Sequence, residues 1–227
     1  MATKKNKKRK LKYKMIFIVI LVFIIILSLL IYISEKPLSN IYITGNHILS
    51  DKEIIKIAEL EDYPPYINTY FMNIKENLLQ NSYIKDVEIE RKLFGKIYIN
   101  ITEHKPLCIY NDKLVLSSKE KVANNYNIDY VPYVINDMDN VYDKFVEKFT
   151  LVDDSTLLKI SHIEYKPNDV DKERFLLYMI DANYVYITLS RIEKINKYNH
   201  IVSELENKKG IIYLDSGDYV EIKSWHN

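Results

Sequence analysis

An apolar segment from Met15 to Ile33 constrains this chain more than any other feature. Only Ser28 and Tyr32 among its residues are not strongly apolar. A helix of this length covers roughly 28 Å, which is close to the ~30 Å hydrocarbon core of a bilayer. Because a soluble core helix would keep a polar face, the segment predicts a single membrane-spanning helix.

The end of this segment favours an uncleaved signal anchor over a cleaved signal peptide. A cleaved signal has an apolar run of about 7 to 15 residues, followed by small residues at the cleavage site. Here the run is longer, and Ile31-Tyr32-Ile33-Ser34-Glu35 offers no such site. We therefore expect the helix to remain in the mature protein.

The flanking charges predict the orientation of the helix. Glu35 follows the apolar segment. The basic residues before it, among which no acidic residue occurs, are Lys4, Lys5, Lys7, Lys8, Arg9, Lys10, Lys12 and Lys14. The positive-inside bias predicts a cytoplasmic N-terminus and an exported C-terminal part, as in a single-pass type II protein. Binding of nucleic acid by this tail is an alternative, but a topology signal resting on anionic lipid head groups is the simpler interpretation.

The charge of the exported part differs from that of the whole chain. The eight basic residues of the tail, taken from 32 Lys and Arg, leave 24 against 31 acidic residues, a balance of about −7. An acidic domain of this kind is a poor candidate for binding nucleic acid. The single Cys108 cannot form an internal disulfide, and its apolar surroundings predict a small buried hydrophobic residue.

The roughly 65 residues after the membrane segment predict the element order strand, helix, helix, strand, strand. Ile41–Thr44 reads as a strand before a Gly45-Asn46 turn, and Ser50-Asp51-Lys52-Glu53 is a capping box that opens a helix with Ile54, Ile57 and Ala58 on one face. A second helix is expected from about Thr69 to Gln80. The strands Ile84–Lys92 and Lys96–Glu103 follow, joined at Leu93-Phe94-Gly95.

This module resembles the membrane-proximal POTRA domain of the FtsQ/DivIB bacterial cell-division proteins. The residues that carry the resemblance are Ile41-Tyr42-Ile43-Thr44-Gly45-Asn46, Ser50 to Ile54, Val87-Glu88-Ile89-Glu90-Arg91 and Ile99-Asn100-Ile101-Thr102-Glu103-His104-Lys105-Pro106. The order of basic tail, single span, module and strand-rich region is also similar. One departure is the turn Leu93-Phe94-Gly95, where the family usually has a proline.

The region from Pro106 onward predicts a second module that is rich in strands. Predicted strands are Leu107–Tyr110, Lys113–Leu116, Tyr130–Val134, Ile160–Tyr165, Arg174–Ile180, Tyr184–Leu189, Ile211–Leu214 and Tyr219–Lys223. Pro132 favours an edge or a bend in the third of these. One predicted helix carries Val141, Phe145, Phe149 and Val152.

The sequence predicts a second helix in this region. It is expected to open with the capping box Ser190-Arg191-Ile192-Glu193 and to end at Gly210 after Lys208 and Lys209. Its expected buried face consists of Ile195, Tyr198, Val202 and Leu205.

The predicted fold class is α+β: one transmembrane helix, a POTRA (βααββ) domain, and a mixed α/β domain dominated by an antiparallel sheet. The predicted boundaries are a basic tail over 1–14, the membrane helix over 15–33, the POTRA domain over 34–105, the β domain over 106–223 and a C-terminal tail over 224–227. The resemblance implies that the second module is the β domain of the family.

No catalytic constellation is evident in the sequence. Ser118-Lys119-Glu120-Lys121 matches the S-x-x-K motif of penicillin-binding enzymes, but the S-x-N and K-T-G partners are absent. The five histidines lack metal-ligand spacing, and with four glycines no phosphate-binding loop is expected. We therefore predict no enzyme activity, no cofactor, no metal and no small-molecule substrate.

Interaction with other proteins is the function that remains. A closing strand at a sheet edge exposes backbone groups with which a partner strand can pair. The candidate partner-binding residues are Tyr213, Asp215, Gly217, Tyr219, Val220, Glu221 and Ile222. The resemblance implies that the partners are the bitopic division proteins FtsL and FtsB/DivIC, with septal wall synthases as further candidates, at the division septum of a Gram-positive bacterium.

Two other functions stay open from the sequence. One is a membrane-tethered cell-wall enzyme that uses Ser118 and Lys121. The other is a POTRA-bearing transport or chaperone protein, although neither tandem POTRA copies nor a membrane barrel follow the first module. An ordinary closing strand without a partner is the simplest alternative for Tyr219–Lys223.

Overall fold

The structure is a computed structural model that describes residues 13–65, 69–92, 95–206 and 208–222. It shows the predicted α+β class. Backbone contacts divide the chain into two compact units, Met1–Leu78 with Val87–Ile101, and Leu79–Asp86 with Thr102–Asn227.

The apolar segment forms one continuous helix, α1 (Tyr13–Ser34). Its side chains from Met15 to Tyr32 are exposed or half-buried, and it is long and apolar enough to cross a membrane. At 1.5 Å per residue, its 22 residues extend about 33 Å, slightly more than the hydrocarbon core of a bilayer. The length of α1 is therefore consistent with the predicted membrane span. Of the basic residues before the apolar segment, only Lys14 lies within the described residues.

The first module has the predicted element order. It consists of β1 (Asn40–Thr44), α2 (Asp51–Ile57), α3 (Phe71–Leu79), β2 (Ile84–Lys92) and β3 (Lys96–Glu103). The three strands form a sheet in the order β1-β3-β2, with β1 parallel to β3. Leu93 and Phe94, the first two residues of the predicted turn, lie outside the described residues.

The capping box at the start of α2 is confirmed. The backbone N–H of Ser50 donates to Glu53 Oε2 at 2.9 Å, and the N–H of Glu53 donates to Ser50 Oγ at 3.3 Å. Both donors would otherwise lack a partner at a helix start. On the predicted face of α2, Ile54 and the C-cap residue Ala58 are buried, whereas Ile57 is half-buried. Ile74 and Leu78 of α3 are also buried.

The second module is built on one mixed sheet. Its elements are β4 (Pro106–Tyr110), β5 (Lys113–Leu116), β6 (Lys121–Val122), β7 (Tyr133–Val134), α4 (Tyr142–Phe149), α5 (Asp154–Leu157), β8 (Ile160–Tyr165), β9 (Arg174–Met179), β10 (Tyr184–Thr188), α6 (Tyr198–Glu204), β11 (Gly210–Tyr213) and β12 (Tyr219–Ile222). Two 3-10 helices, Asp139–Val141 and Leu189–Lys197, complete the set of described helices.

The nine strands lie in the order β12-β11-β10-β9-β8-β7-β4-β5-β6. Five pairs are antiparallel, namely β4 with β5, β5 with β6, β8 with β9, β9 with β10, and β11 with β12, whereas β4 with β7, β7 with β8, and β10 with β11 are parallel. The two-residue turn between β4 and β5 has positive φ at both Asn111 (52°) and Asp112 (58°), as a type I′ hairpin requires. The short strand β6 was not predicted.

One face of this sheet packs against the helices and forms the core. Phe145 and Phe149 of α4 stack at 4.4 Å between ring centroids, and Phe145 lies 5.2 Å from Phe175 of β9. All three side chains are buried, as is Cys108, in agreement with its prediction as a buried hydrophobic residue. Val152, which was predicted on the same helix, is buried but lies after the end of α4. Burial raises the pKa of the Cys108 thiol, so it is an inert core residue.

The predicted capping box at Ser190-Arg191-Ile192-Glu193 is wrong. The segment Leu189–Lys197 is 3-10 helix, interrupted at Arg191, which has a non-helical φ of −122°, and its first residue follows Thr188 without a side-chain cap. The buried residues Leu189, Ile192 and Ile195 are spaced by three. That spacing aligns side chains in a helix with three residues per turn, so packing selected the 3-10 form.

The predicted helix end at Gly210 is also wrong. The helix α6 ends at Glu204, and Gly210 is the first residue of β11. Lys208 and Lys209 therefore do not cap a helix. Tyr198 is buried as predicted, whereas Val202 and Leu205 are only half-buried. Gly210 is suited to its place because a Cβ there would lie 2.3 Å from the carbonyl oxygen of Glu221.

The segment Tyr130–Val134 was predicted as a strand at an edge or a bend. Only Tyr133–Val134 forms a strand, β7, which is an interior strand that pairs with both β4 and β8. Bends lie at Tyr130 and Val131, directly before Pro132. The bend is confirmed and the edge position is wrong. Pro132 lies directly before β7, and its carbonyl oxygen accepts a hydrogen bond from the N–H of Ile109 at 2.9 Å.

Candidate functional site: the β12 edge

The strand β12 lies at one end of the sheet order and pairs with β11 alone among the described strands. Its register sets Tyr219 opposite Tyr213 and Val220 opposite Ile212. Tyr219 and Ile222 are about half exposed, at 54% and 52%. An edge strand with exposed aromatic and aliphatic side chains can accept a further strand.

A ladder of stacked tyrosines runs across the sheet to this edge. Tyr186 on β10 stacks on Tyr213 at 5.3 Å between ring centroids, and Tyr213 stacks on Tyr219 at 4.5 Å, with interplanar angles of 19° and 13°. The guanidinium of Arg174 lies 3.7 Å from the centroid of Tyr186 and closes the inner end. Cross-strand aromatic contacts stiffen the sheet, and the exposed ring of Tyr219 ends the ladder at the edge.

The turn that leads into β12 is held by a buried ion pair. Arg174 Nε donates to Asp215 Oδ2 at 2.6 Å, and the side chains are only 15% and 8% exposed. Arg191 also donates from Nη1 to the Asp215 carbonyl oxygen at 3.0 Å. Burial opposes ionisation of Asp215, but hydrogen bonds from Arg174 and the Ser216 N–H outweigh it and lower the pKa of this carboxyl.

A second, more exposed pair fixes the far side of the same turn. Lys194 Nζ lies 2.6 Å from both oxygens of Asp218, and Arg191 Nη2 lies 3.8 Å from Oδ1. The hydrogen bond from Lys194 lowers the pKa of Asp218. The kink at Arg191 thus places two cations against the turn, so the turn is held from β9 and from the 3-10 segment.

The start of β11 is fixed by a buried asparagine. Asn183, which is 1% exposed, accepts a hydrogen bond from the Gly210 N–H at 2.9 Å and donates to the Tyr198 hydroxyl at 3.1 Å. The Tyr198 hydroxyl in turn donates to Asp181 Oδ1 at 2.7 Å. Burial and the Asp181 carboxylate raise the pKa of Tyr198. This network holds the start of β11, the strand that pairs in parallel with β10 and carries β12 on its other side.

The predicted site residues fall into one hairpin, since all seven lie on β11, on β12 or in the turn between them. Sequence reasoning missed the residues that support the hairpin from elsewhere, namely Arg174, Asn183, Tyr186, Arg191 and Lys194. Alternate tyrosines at 184 and 186 of a predicted strand were a usable signal for one face of the sheet. The pairing of Arg174 with Asp215, 41 positions away, had no local signal.

The residues of the S-x-x-K match make separate contacts. Ser118 Oγ accepts from the Glu120 N–H at 3.4 Å. Lys121 Nζ lies over the rings of Tyr110 and Tyr142, at 4.5 and 4.1 Å from their centroids, and 3.6 Å from Asp139 Oδ1. Lys121 is thus held as a structural cation in an aromatic and acidic setting. These contacts give it a role other than that of a base for Ser118.

Comparisons with known proteins point to bacterial cell-division proteins. Residues 36–104 match the POTRA domain, FtsQ-type. The cell division protein DivIB of Bacillus subtilis is 28% identical and aligns with 81% of this chain and 73% of its own length. The DivIB of Listeria monocytogenes is 25% identical, with 96% of this chain and 85% of that protein covered.

A solved structure of the major extracytoplasmic domain of DivIB from Geobacillus stearothermophilus is 17% identical and covers 46% of this chain and 96% of its own, with a TM-score of 0.39. The relatives named DivIB align over most of the chain, and the matched POTRA type is the one that sequence reasoning expected. Over most of its length the chain is similar to bacterial cell-division proteins named DivIB, and its first module matches the FtsQ-type POTRA domain.

Proposed function

We propose that this protein is a bitopic scaffold of the bacterial division complex that binds FtsL and FtsB/DivIC-type partners outside the membrane through β12. The observation that carries the proposal is the position of β12 at the sheet edge with the tyrosine ladder behind it. Septal wall synthases are further candidate partners, held near the septum by this scaffold.

The proposed mechanism is addition of a partner strand. The partner's backbone pairs with the free edge of β12, and its side chains select for a match on both faces. On one face of the sheet, the exposed ring of Tyr219 offers a flat surface to the partner's side chains. On the other face, Val220 is half-buried. Because the turn is clamped by Arg174, Arg191 and Lys194, the edge is ordered before the partner arrives, which lowers the entropic cost of binding.

The proposed topology places the N-terminus in the cytoplasm and both modules outside. The length and apolarity of α1 support membrane anchoring, and the lysine-rich segment before it supports the orientation. All of that segment except Lys14 lies outside the described residues. We further propose the domain boundaries 34–105 and 106–223 for the two exported modules.

The proposed edge is tested by charge substitution with a matched control at the other edge of the same sheet. Val220 on β12 and Val122 on β6 are both half-buried valines on edge strands. Val220→Lys is expected to reduce co-purification of the tagged full chain with FtsL and DivIC-type partners by roughly tenfold or more, since a partner strand would bury the introduced ammonium. Val122→Lys is expected to leave it unchanged.

Thermal unfolding of both variants verifies that each remains folded. Equal recovery of partners with Val220→Lys and wild type would overturn the edge-strand mechanism. A loss with Val122→Lys and not with Val220→Lys would move the docking surface to the opposite edge.

A further inference from the structure

The first module is fastened very close to the end of the membrane helix. The helix α1 ends at Ser34, and β1 begins at Asn40. Pro37 pairs with Pro65 in an isolated β-bridge, and the N–H of Leu38 donates to the Pro64 carbonyl at 3.2 Å. The connector is therefore pinned to the module from its third residue onward.

The opposite side of the connector is pinned to the sheet. The N–H of Ser39 donates to the carbonyl of Gly95 at 2.8 Å. A Cβ on Gly95 would lie 3.2 Å from the Pro37 carbonyl oxygen, so the close approach depends on glycine at this place. The register then sets Asn40 of β1 beside Lys96 of β3. The end of the sheet that carries residues 92, 95 and 96 is thus the end nearest the helix.

The distances involved are comparable to the thickness of the head-group layer. Three residues from Ser34 to Pro37 span at most about 10 Å. The polar layer on each side of the hydrocarbon core is about 5 to 8 Å thick, and α1 is already about as long as that core. The near end of the sheet must therefore lie at, or within a few ångströms of, the lipid head groups.

The side chains at this end suit such a surface. Lys36 Nζ lies 5.2 Å from the ring centroid of Tyr32, which places an aromatic ring and a cation at the helix end. Lys92 and Lys96 end β2 and begin β3. Lys92 pairs with Glu90 at 2.6 Å, but both side chains are more than half exposed, so water or lipid phosphate competes for the ammonium.

We propose that Lys36, Lys92 and Lys96 form a lipid-contact surface for anionic phospholipid head groups, which fixes the tilt of the first module on the bilayer. With the neighbouring carboxylates Glu35 and Glu90 counted, the three lysines leave this surface a net positive charge, although the exported part carries about −7 overall. The proposal rests on the proposed topology only in requiring that α1 spans the membrane. It is independent of partner binding at β12, which lies in the other unit.

The test measures how close the sheet end is to lipid in nanodiscs that contain the full chain. A fluorophore is placed on Asn40→Cys, at the near end, or on the matched Asn100→Cys, whose partner in the register is Thr44 at the far end of β1. Both asparagines are exposed, and the buried Cys108 does not compete for the label. The quencher is a phospholipid that carries a nitroxide at its head group.

In nanodiscs of phosphatidylglycerol and phosphatidylcholine, quenching at position 40 is expected to be at least about twofold that at position 100, and to fall in phosphatidylcholine alone. Lys92→Gln with Lys96→Gln should cause the same fall. The control pair Lys52→Gln with Lys56→Gln, on the exposed side of α2, should not. Added salt of about 0.5 M should also weaken the contact.

Equal quenching at position 40 in both lipids and in the Lys92→Gln, Lys96→Gln variant would overturn the proposal, because a tether alone would then explain the proximity. Flotation of the nanodisc-free chain with vesicles separates this failure from that of the topology. A chain that does not float contradicts the membrane anchor and the lipid contact together. A chain that floats and lacks lipid-dependent quenching contradicts the lipid contact alone.

Discussion

Arg174 Nε and Asp215 Oδ2 lie 2.6 Å apart and join β9 to the turn between β11 and β12. Neither residue is on β12, yet their pairing holds the path of the chain into that edge strand. Removing one partner would leave the other charge buried without compensation, which costs more than losing an exposed pair.

Asp215→Asn is therefore expected to lower the free energy of unfolding by about 2 to 3 kcal/mol, because the buried guanidinium loses its counter-ion. Chemical denaturation of the detergent-solubilised full chain measures this. The exposed Asp218→Asn is the matched control and should have a clearly smaller effect. Equal effects of the two variants would show that the burial of the first pair is unimportant.

The same pair predicts a dependence of stability on pH. Because the pKa of Asp215 is lowered in the folded protein, the folded state binds fewer protons than the unfolded chain near the ordinary carboxyl pKa of about 3.9. The stability is thus fully present above that value and is lost as the pH falls through the lowered pKa. Denaturation curves from about pH 6 to pH 3 should fall less steeply with pH for Asp215→Asn than for wild type. Parallel curves would contradict the assignment.

Asn183→Ala is expected to destabilise the chain by about 2 to 3 kcal/mol, since the Gly210 N–H would stay buried without an acceptor. Asn196 is a suitable control. It donates to Leu151 O and accepts from the Asp153 N–H, but at the surface, where water can replace it. Asn196→Ala should cost less than about 1 kcal/mol in the same denaturation measurement. The reverse order of effects would be inconsistent with the buried network.

Gly210→Ala is expected to disturb the pairing of β11 with β12. The added methyl group would meet the Glu221 carbonyl at 2.3 Å, so the edge strand must shift. We expect a loss of about 1 to 3 kcal/mol and faster amide hydrogen exchange over Tyr219–Ile222. Gly217→Ala, which meets only the Tyr219 ring at 3.0 Å and beyond, should leave the exchange of Gly210–Tyr213 unchanged. Unaltered exchange in Gly210→Ala would show that the strands can adapt.

Cys108 is expected to resist thiol reagents in the folded protein. It is fully buried, and burial raises its pKa, so both access and thiolate are lacking. Incubation with a maleimide at about pH 8 should leave it unmodified until denaturant is added, as mass spectrometry can measure. Rapid labelling of the native chain would contradict its place in the core.

Local signals predicted the elements whose residues are close in sequence. The Ser50 and Glu53 capping box and the bounds of β2, β3, β5 and β8 depend on side chains within a few positions of each other. The local pattern at Ser190-Arg191-Ile192-Glu193 predicted a capping box that does not form. Burial of Leu189, Ile192 and Ile195 in a 3-10 helix outweighed it.

The sequence by itself determined an apolar helix long enough to span a membrane, the order of most strands and helices along the chain, and the resemblance to the FtsQ/DivIB proteins. Each depends on composition, periodicity or local turn chemistry. Only the tertiary structure decided that β12 lies at a sheet edge, that Gly210 belongs to a strand, and that Arg174 pairs with Asp215. These three features depend on contacts between segments that are far apart in the sequence. Packing across the whole sheet selects such contacts, and neither segment alone carries a signal for them.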